Sequence, residues 1–406
     1  MHKNPHNTIR DDRSEFCELL QHHDREFRDP SEVVGYWQDF HRIDPRVLKF
    51  HTAGNFWRVL EDLNAVLLVS REYEHLLLAL SVRENFGPEI TMMRIPHPSG
   101  IAVDHHRKIV HVASTRNPNQ LYQFMPVDSL LARSDILTPD LEGKPLFPLQ
   151  TRFLPGCLYI HDLAIVDNCL HANAVGQNSV IRISSHGMPE KVWWPKCIEI
   201  DGCPQFDANF LQVNSIAAGT TIKSSFFSAS TDTITTLRPG NPDFPVNGRG
   251  VIFSGASGEP IVRGLTRPHS ARLHNSKIWI DNSGYGQVGC VEGTQFRSVA
   301  VLPGWTRGLC FKNNVAFVGV SRVLPKFSKY APGLKADSSE CGVYALDVKS
   351  ERVLGAVTWP HGSQIFAVEA VSREFCTGLP FGLPGRGDRD REQRCFYSFQ
   401  VPEQEV

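Results

Sequence analysis

The 406-residue sequence has no apolar run long enough to cross a membrane, no CxxC pair among its ten cysteines and no surplus of either charge. Each absence excludes a class. The most apolar stretch, LEDLNAVLLVS followed by EHLLLALSV, is broken by Glu72, Glu74 and His75, short of the ~18–20 clean residues of a spanning helix. The opening MHKNPHNTIRDDRSEF lacks the apolar core of a secretory signal. A cytoplasmic chain with reduced thiols is therefore the expectation, and without CxxC pairs a zinc ribbon is set aside. Lys and Arg total 42 against 43 Asp and Glu, a formal net charge of −1. Bulk charge thus supplies no affinity for nucleic acid or a membrane surface, and neither partner is expected. The one dense charged run, RGDRDREQR (386–394), reads as a solvated loop. Chemistry is bounded in the same way: there is no Gly-x-Ser-x-Gly elbow, no P-loop and no dinucleotide fingerprint.

What is abundant is turn residues, with 31 Gly and 27 Pro, as an all-β chain of many short strands needs. Only the beginning differs. DRSEFCELLQHHDREF and DPSEVVGYWQDFHRI have the pattern of two short amphipathic helices, so residues 1–55 are read as a helical extension and 56–406 as one β domain.

The β domain repeats itself. Six segments share one plan: a polar residue, a small residue, an apolar strand, a turn and a second strand. They are PSGIAVDHHRKIVHVAS from Pro98, HDLAIVDNCLHANAVG from His161, NSIAAGTTIKSSFFSAS from Asn214, HSARLHNSKIWIDNSG from His269, TRGLCFKNNVAFVGVS from Thr306 and FAVEAVSREFCTG from Phe366. Their starts lie 63, 53, 55, 37 and 60 residues apart. Such a unit holds one four-stranded blade, so the fold class expected is a six-bladed β-propeller with a short N-terminal helical extension. The strands NAVLLVS and HLLLALSV either complete the first blade or close the ring on the last.

In a propeller the starts of the innermost strands line the central channel. The channel candidates are His97, His161, Asn214, His269, Thr306 with Arg307, and Gln364 or Phe366. Three are histidines, although His makes up only 17 of 406 residues.

Three segments also carry a family likeness: TRPHSARLHNSKIWIDNSGYGQV, LPGWTRGLCFKNNVAFVGVSR and CGVYALDV. They resemble a bacterial family of conserved propeller-like proteins with Pro-His-Ser-Pro-Arg, Pro-Gly-Phe-Thr-Arg-Gly-Leu and Cys-Gly-Val motifs. The resemblance runs from about Val59 to Ala370. It implies the fold and the place of the site, with His161, Asn214, His269, Arg272 and Arg307 retained, and no particular reaction. Where that family has Cys-His-Leu-Asn-Gly, this chain has LQVNSIA, with Gln212 for the histidine. Where it has two acids in Glu-(Ile/Leu)-(Phe/Tyr)-Asp-Val, this chain has QIFAV, with Gln364 and Ala367. The replaced acids imply altered chemistry or none.

Histidines converging on one axis are what a transition metal needs. One reading is thus a metal-assisted enzyme of lyase, hydrolase or oxygenase type, acting on a small anionic or peptide-like substrate. His97, His161 and His269 would hold a divalent ion (Zn or Fe), and His161, His269 and Arg307 would be catalytic. Asn214, Arg307 and Gln364 would bind substrate, Arg307 as a cationic fork for a carboxylate or phosphate. Two other readings stay open: a non-catalytic binding or scaffold propeller whose channel is a polar plug, and a metal-free enzyme using His as general base. Arg272 alternates with His269 and is assigned a structural role away from the axis. Ser270 shows no sign of activation, NSGYGQ (282–287) and GLPFGLPGRG (378–387) read as loops, and one of Trp193 and Trp194 belongs to the core.

Overall fold

The computed structural model describes residues 43–401 except 84, 117 and 118, so the two expected helices before residue 43 lie outside the described residues. Strand formation follows from composition. AVLLVSR (Ala65–Arg71) and LLLALSVR (Leu76–Arg83) are apolar on both faces, and all but the last residue are buried; a strand of this kind must be covered on both sides. Six antiparallel sheets provide that cover by standing face to face in a ring. The protein is a six-bladed β-propeller.

Blade 1 holds Ala65–Arg71, Leu76–Arg83 and Gly87–Arg94, with Ala367–Ser372 as its innermost strand and Phe381–Gly382 at its outer edge. The chain therefore closes the ring by pairing its late strand with its early ones. Blades 2 to 5 begin with inner strands Pro98–Asp104, Ile160–Val166, Val213–Ala217 and Pro268–His274, and each has four strands in chain order. Blade 6 begins with Trp305–Lys312, and His51–Gly54 adds a fifth strand outside Arg352–Thr358. Residues 51–54, placed by sequence in the helical extension, are thus part of a blade. Helix Phe56–Asp62 buries Phe56 and Leu60 against blades 1 and 6. The charged run 386–394 is a correction: Asp388 caps a helix, Arg389–Ser398, by accepting from Arg391 N, and its Cys395 and Phe396 are buried. Two apolar side chains at one end of a charged segment sufficed to dock it.

The core is layered between blades. Separate apolar clusters fill the 2–3, 3–4, 4–5 and 5–6 interfaces, and a larger one spans blades 6, 1 and 2. A polar clamp near the axis also marks every junction. Ser70 Oγ donates to Ser99 O (2.7 Å), Ser99 Oγ to Ile160 O (2.8 Å), Asn173 Nδ2 to Val213 O (2.7 Å) and Asn214 Nδ2 to Pro268 O (3.0 Å). Ser283 Oγ donates to Thr306 O (2.6 Å) and Ser321 Oγ to Ile365 O (2.9 Å). These bonds satisfy inner-strand carbonyls in a dry interface, where an unpaired one would cost ~1–3 kcal/mol. The blades approach so closely there that a Cβ on Gly100 would lie 2.6 Å from Asp162 Cα.

His111, on the second strand of blade 2 beside Asp104 and Arg107, is 4% exposed, and burial pushes its imidazole down to about 4. The unfolded chain takes up a proton near pH 6.5 that the folded chain refuses. Stability is therefore full above pH 6.5 and falls as the pH drops towards 4, by about 3 kcal/mol for this group. His111→Leu is expected to flatten urea midpoints between pH 7.5 and 4.5 by that share. An unchanged acid slope would refute the assignment.

Candidate functional site

At the end of the ring where the inner strands begin lies a cavity of about 280 Å³. Two long insertions roof it, 230–249 in blade 4 and 322–341 in blade 6. They meet in a small apolar cluster of Phe244, Val246 and Tyr330, with Trp305 and Phe327 against it, and Tyr330 Oη donates to Gly240 O (2.7 Å). Of the residues predicted from sequence, His161, His269, Arg307 and Gln364 line this cavity. Residues from blades 3, 5, 6 and the closing segment of blade 1 are thereby brought together.

His269 is 4% exposed. Its Nδ1 lies 2.9 Å from Arg267 O and 3.0 Å from Ser283 Oγ. A carbonyl only accepts, so Nδ1 carries the proton, and Nε2 keeps a free lone pair. Ser283 in turn donates to Thr306 O, which fixes the ring's second partner. His161 stands with its edge on Phe366, ring centroids 5.4 Å apart, next to the Asn214 amide. Burial, reinforced by the Arg307 cation, holds both imidazoles well below the usual histidine value. Both are neutral at pH 7.

Arg307 is 9% exposed, and its guanidinium carbon lies 3.3 Å from the centroid of the Phe366 ring. With its amide turned to satisfy both neighbours, Gln364 accepts from Arg307 Nη1 (2.9 Å) and donates to Glu72 Oε2 (2.9 Å). A neutral carboxamide thus accepts from Arg307 without neutralising it. Arg267, 5% exposed, donates from Nη1 to Gln212 Oε1 (2.7 Å) and Pro239 O (2.9 Å) and packs on Tyr330 at 4.3 Å. Neither guanidinium forms an ion pair among the described residues. Burial brings each down to about 10, still fully charged at neutral pH. Five arginines and one carboxylate, Glu72, line the cavity, so its potential is strongly positive.

Two expectations need correction. The three-histidine metal site is not assembled. His97 stacks edge-on against His75 (centroids 4.3 Å) with Nδ1 4.0 Å from Glu72 Oε1, outside the cavity that holds His161 and His269. Among the described residues no group of three or more His, Cys, Asp or Glu side chains is placed to hold a metal ion. The cations of Arg267 and Arg307 beside the remaining two imidazoles would also repel a divalent ion. This donor set does not fit a metal. Asn214, expected to touch substrate, does not line this cavity; it lines a small adjoining pocket with His161, His269 and Arg307, and its amide nitrogen donates to Pro268 O and Ser230 Oγ (3.2 Å). Its carboxamide belongs to the blade junction and to the underside of His161.

Arg272 has the structural role expected but not the direction, since it reaches into the channel rather than away from the axis. It crosses from blade 5 to blade 3 and grips Asp162 with Nη1–Oδ2 at 2.7 Å and Nη2–Oδ1 at 3.0 Å. This pair floors the channel. Glu369 lies beside it, and burial brings its carboxyl up to about 7. Sequence reasoning missed Glu72, Arg267, Trp305 and Tyr330. Arg267 had a signal, since it stands two residues before His269 at a repeat start. Tyr330 had none, because insertions carry no period. Trp193 is core, against Phe227 and Phe253, and Trp194 is bonded to Glu199 on the outside.

No helix among the described residues is long and apolar enough to cross a membrane, and the nine described cysteines are free. Among solved structures the chain is similar to a gluconolactonase of Xanthomonas campestris (11% identity, TM-score 0.44, 73% of this chain and 86% of that one). It is similar to a luciferin-regenerating enzyme (12%, 0.43, 66% and 77%) and to streptogramin B lyase (13%, 0.35, 70% and 72%). These likenesses carry no argument about activity. No curated protein matches the sequence. Over residues 54–377 it matches the family model described as domain of unknown function DUF4915, and the chain belongs to that family.

Proposed function

We propose that the chain is a propeller enzyme that takes a small anionic molecule into the roofed mouth of its channel and acts on it by metal-independent proton transfer. In this proposal Arg307 anchors the anion and His269 Nε2 is the general base. The observation that carries it is the fixed tautomer of His269. Its Nδ1–H is held by Arg267 O and Ser283, which leaves Nε2 as the basic nitrogen of a ring that lines a cavity walled by Arg307. That is the arrangement of a positioned base. The positive surroundings add a dependence on substrate. With the site empty, burial first and then the Arg307 and Arg267 cations hold the imidazole proton-free. A bound anion cancels that field, raises the basicity of His269 and stabilises the imidazolium formed in the reaction.

Gln364 supplies the test. In Gln364→Glu a nearly isosteric carboxylate stands between Glu72 and Arg307, so it neutralises the anchor without emptying the site. Affinity for small carboxylates and phosphate esters, screened by thermal shift and measured by calorimetry, is expected to fall ~10–100-fold, the worth of one charge-assisted pair. Wild-type affinity in this variant would remove Arg307 as the anchor. Anion binding with no turnover of any ligand by NMR would leave a binding propeller.

A further inference from the structure

We infer that the ligand is a dianion, with one charge for each of Arg267 and Arg307. The inference rests on the anion-site proposal above and adds the ligand's charge and shape.

The two guanidiniums come from successive blades and face one cavity. Each is more than nine-tenths buried, and neither has a carboxylate partner among the described residues. Each also keeps one buried N–H with no acceptor, Nε of Arg267 and Nη2 of Arg307. Nη1 of each donates to neutral oxygens, those of Gln212 and Pro239 for Arg267 and of Gln364 for Arg307, which align the groups and leave their charges intact. Stacking on Tyr330 and on Phe366 holds both planar forks in place before any ligand arrives. Two preset forks on one cavity are complementary to two oxyanion groups, or to one doubly charged group between them. A monoanion would leave one guanidinium buried and unpaired, the costly half of a broken pair. The cavity, at about 280 Å³, exceeds what a bare inorganic anion fills. The organic body of the ligand would lie against Trp305 and Phe366. A short dicarboxylate and a phosphate monoester share this chemistry.

The experiment uses the unmodified chain first. Calorimetry compares dicarboxylates from malonate to adipate with monocarboxylates of equal length, and glycerol phosphate with its methyl diester, which stays monoanionic. One dianion series is expected to bind ~10–100-fold tighter than its monoanionic match, and the series that does so identifies the class. Arg267→Met and Arg307→Met should each bring the dianion to the monoanion's affinity. Arg267→Lys and Arg307→Lys, which keep charge and bulk, serve if a Met variant does not fold. Monoanions binding as tightly as dianions would overturn the dianion while sparing the anion site. If no anion binds, both proposals fail.

Discussion

Asp162→Ala is expected to destabilise the propeller by about 3–5 kcal/mol, because it strands the Arg272 guanidinium in the channel floor. Asp162 Oδ2 accepts from Arg272 Nη1 and from Ile216 N (3.0 Å), and Oδ1 accepts from Arg272 Nη2 and Leu163 N (3.1 Å). One carboxylate thus ties blades 3, 4 and 5 together at the axis. The side chains of both partners are mostly withdrawn from water, at 6% and 17% exposure. The remaining charge would have only the nearby Glu369 carboxyl, with no direct hydrogen bond to it, and could not hydrate fully without opening the ring. Removing both charges is a different experiment: Asp162→Leu with Arg272→Met should recover much of the loss, since no uncompensated charge remains. Urea unfolding at pH 7 reads both. A loss below ~1 kcal/mol for Asp162→Ala would mean that the pair is open to water and holds nothing.

His269→Gln is expected to lower turnover of the identified substrate by ~10²–10⁴-fold, about 3–5 kcal/mol in the barrier, the usual contribution of a positioned base. Binding should change only a few-fold, because Gln can still donate to Arg267 O and Arg307 is untouched. The pH profile separates a base from a packing residue. His269 acts only when neutral, so activity is lost as the pH falls. In kcat/KM, which reports the free enzyme, the acid limb should lie well below pH 6.5, following the depressed imidazole. In kcat it should lie at higher pH, because bound anion cancels the field of Arg307. Full turnover in His269→Gln, or coincident limbs, would end the role assigned to His269.

The blades were legible in the sequence because inner strands obey a local rule. Each repeat start falls at or within two residues of an inner strand's beginning, from Pro98 at Pro98–Asp104 to Phe366 before Ala367–Ser372. The junction clamps were not legible: their donors fall near repeat starts (Ser99, Asn214) and near repeat ends (Asn173, Ser283, Ser321), and only ring closure sets each against a neighbouring blade's carbonyl. The blade role of residues 51–54 was not visible, since four residues of an edge strand carry no period. His97 shows the limit for the site. It stands beside a repeat start, but its backbone is left-handed (φ 43°) and its N–H donates to His75 Nδ1 (3.1 Å), which turns it out of the group that His161 and His269 join.

By itself the sequence determined the six blades and most channel-facing positions, because apolar alternation, small residues and tight turns act within a few residues. Only the tertiary structure decided what those positions do. It turned His97 aside, set Arg272 across the axis onto Asp162 and left Arg267 and Arg307 charged without an acid between them. Such pairings join residues tens to hundreds of positions apart, and their energies depend on distance and on exclusion of water, which exist only once the ring has closed.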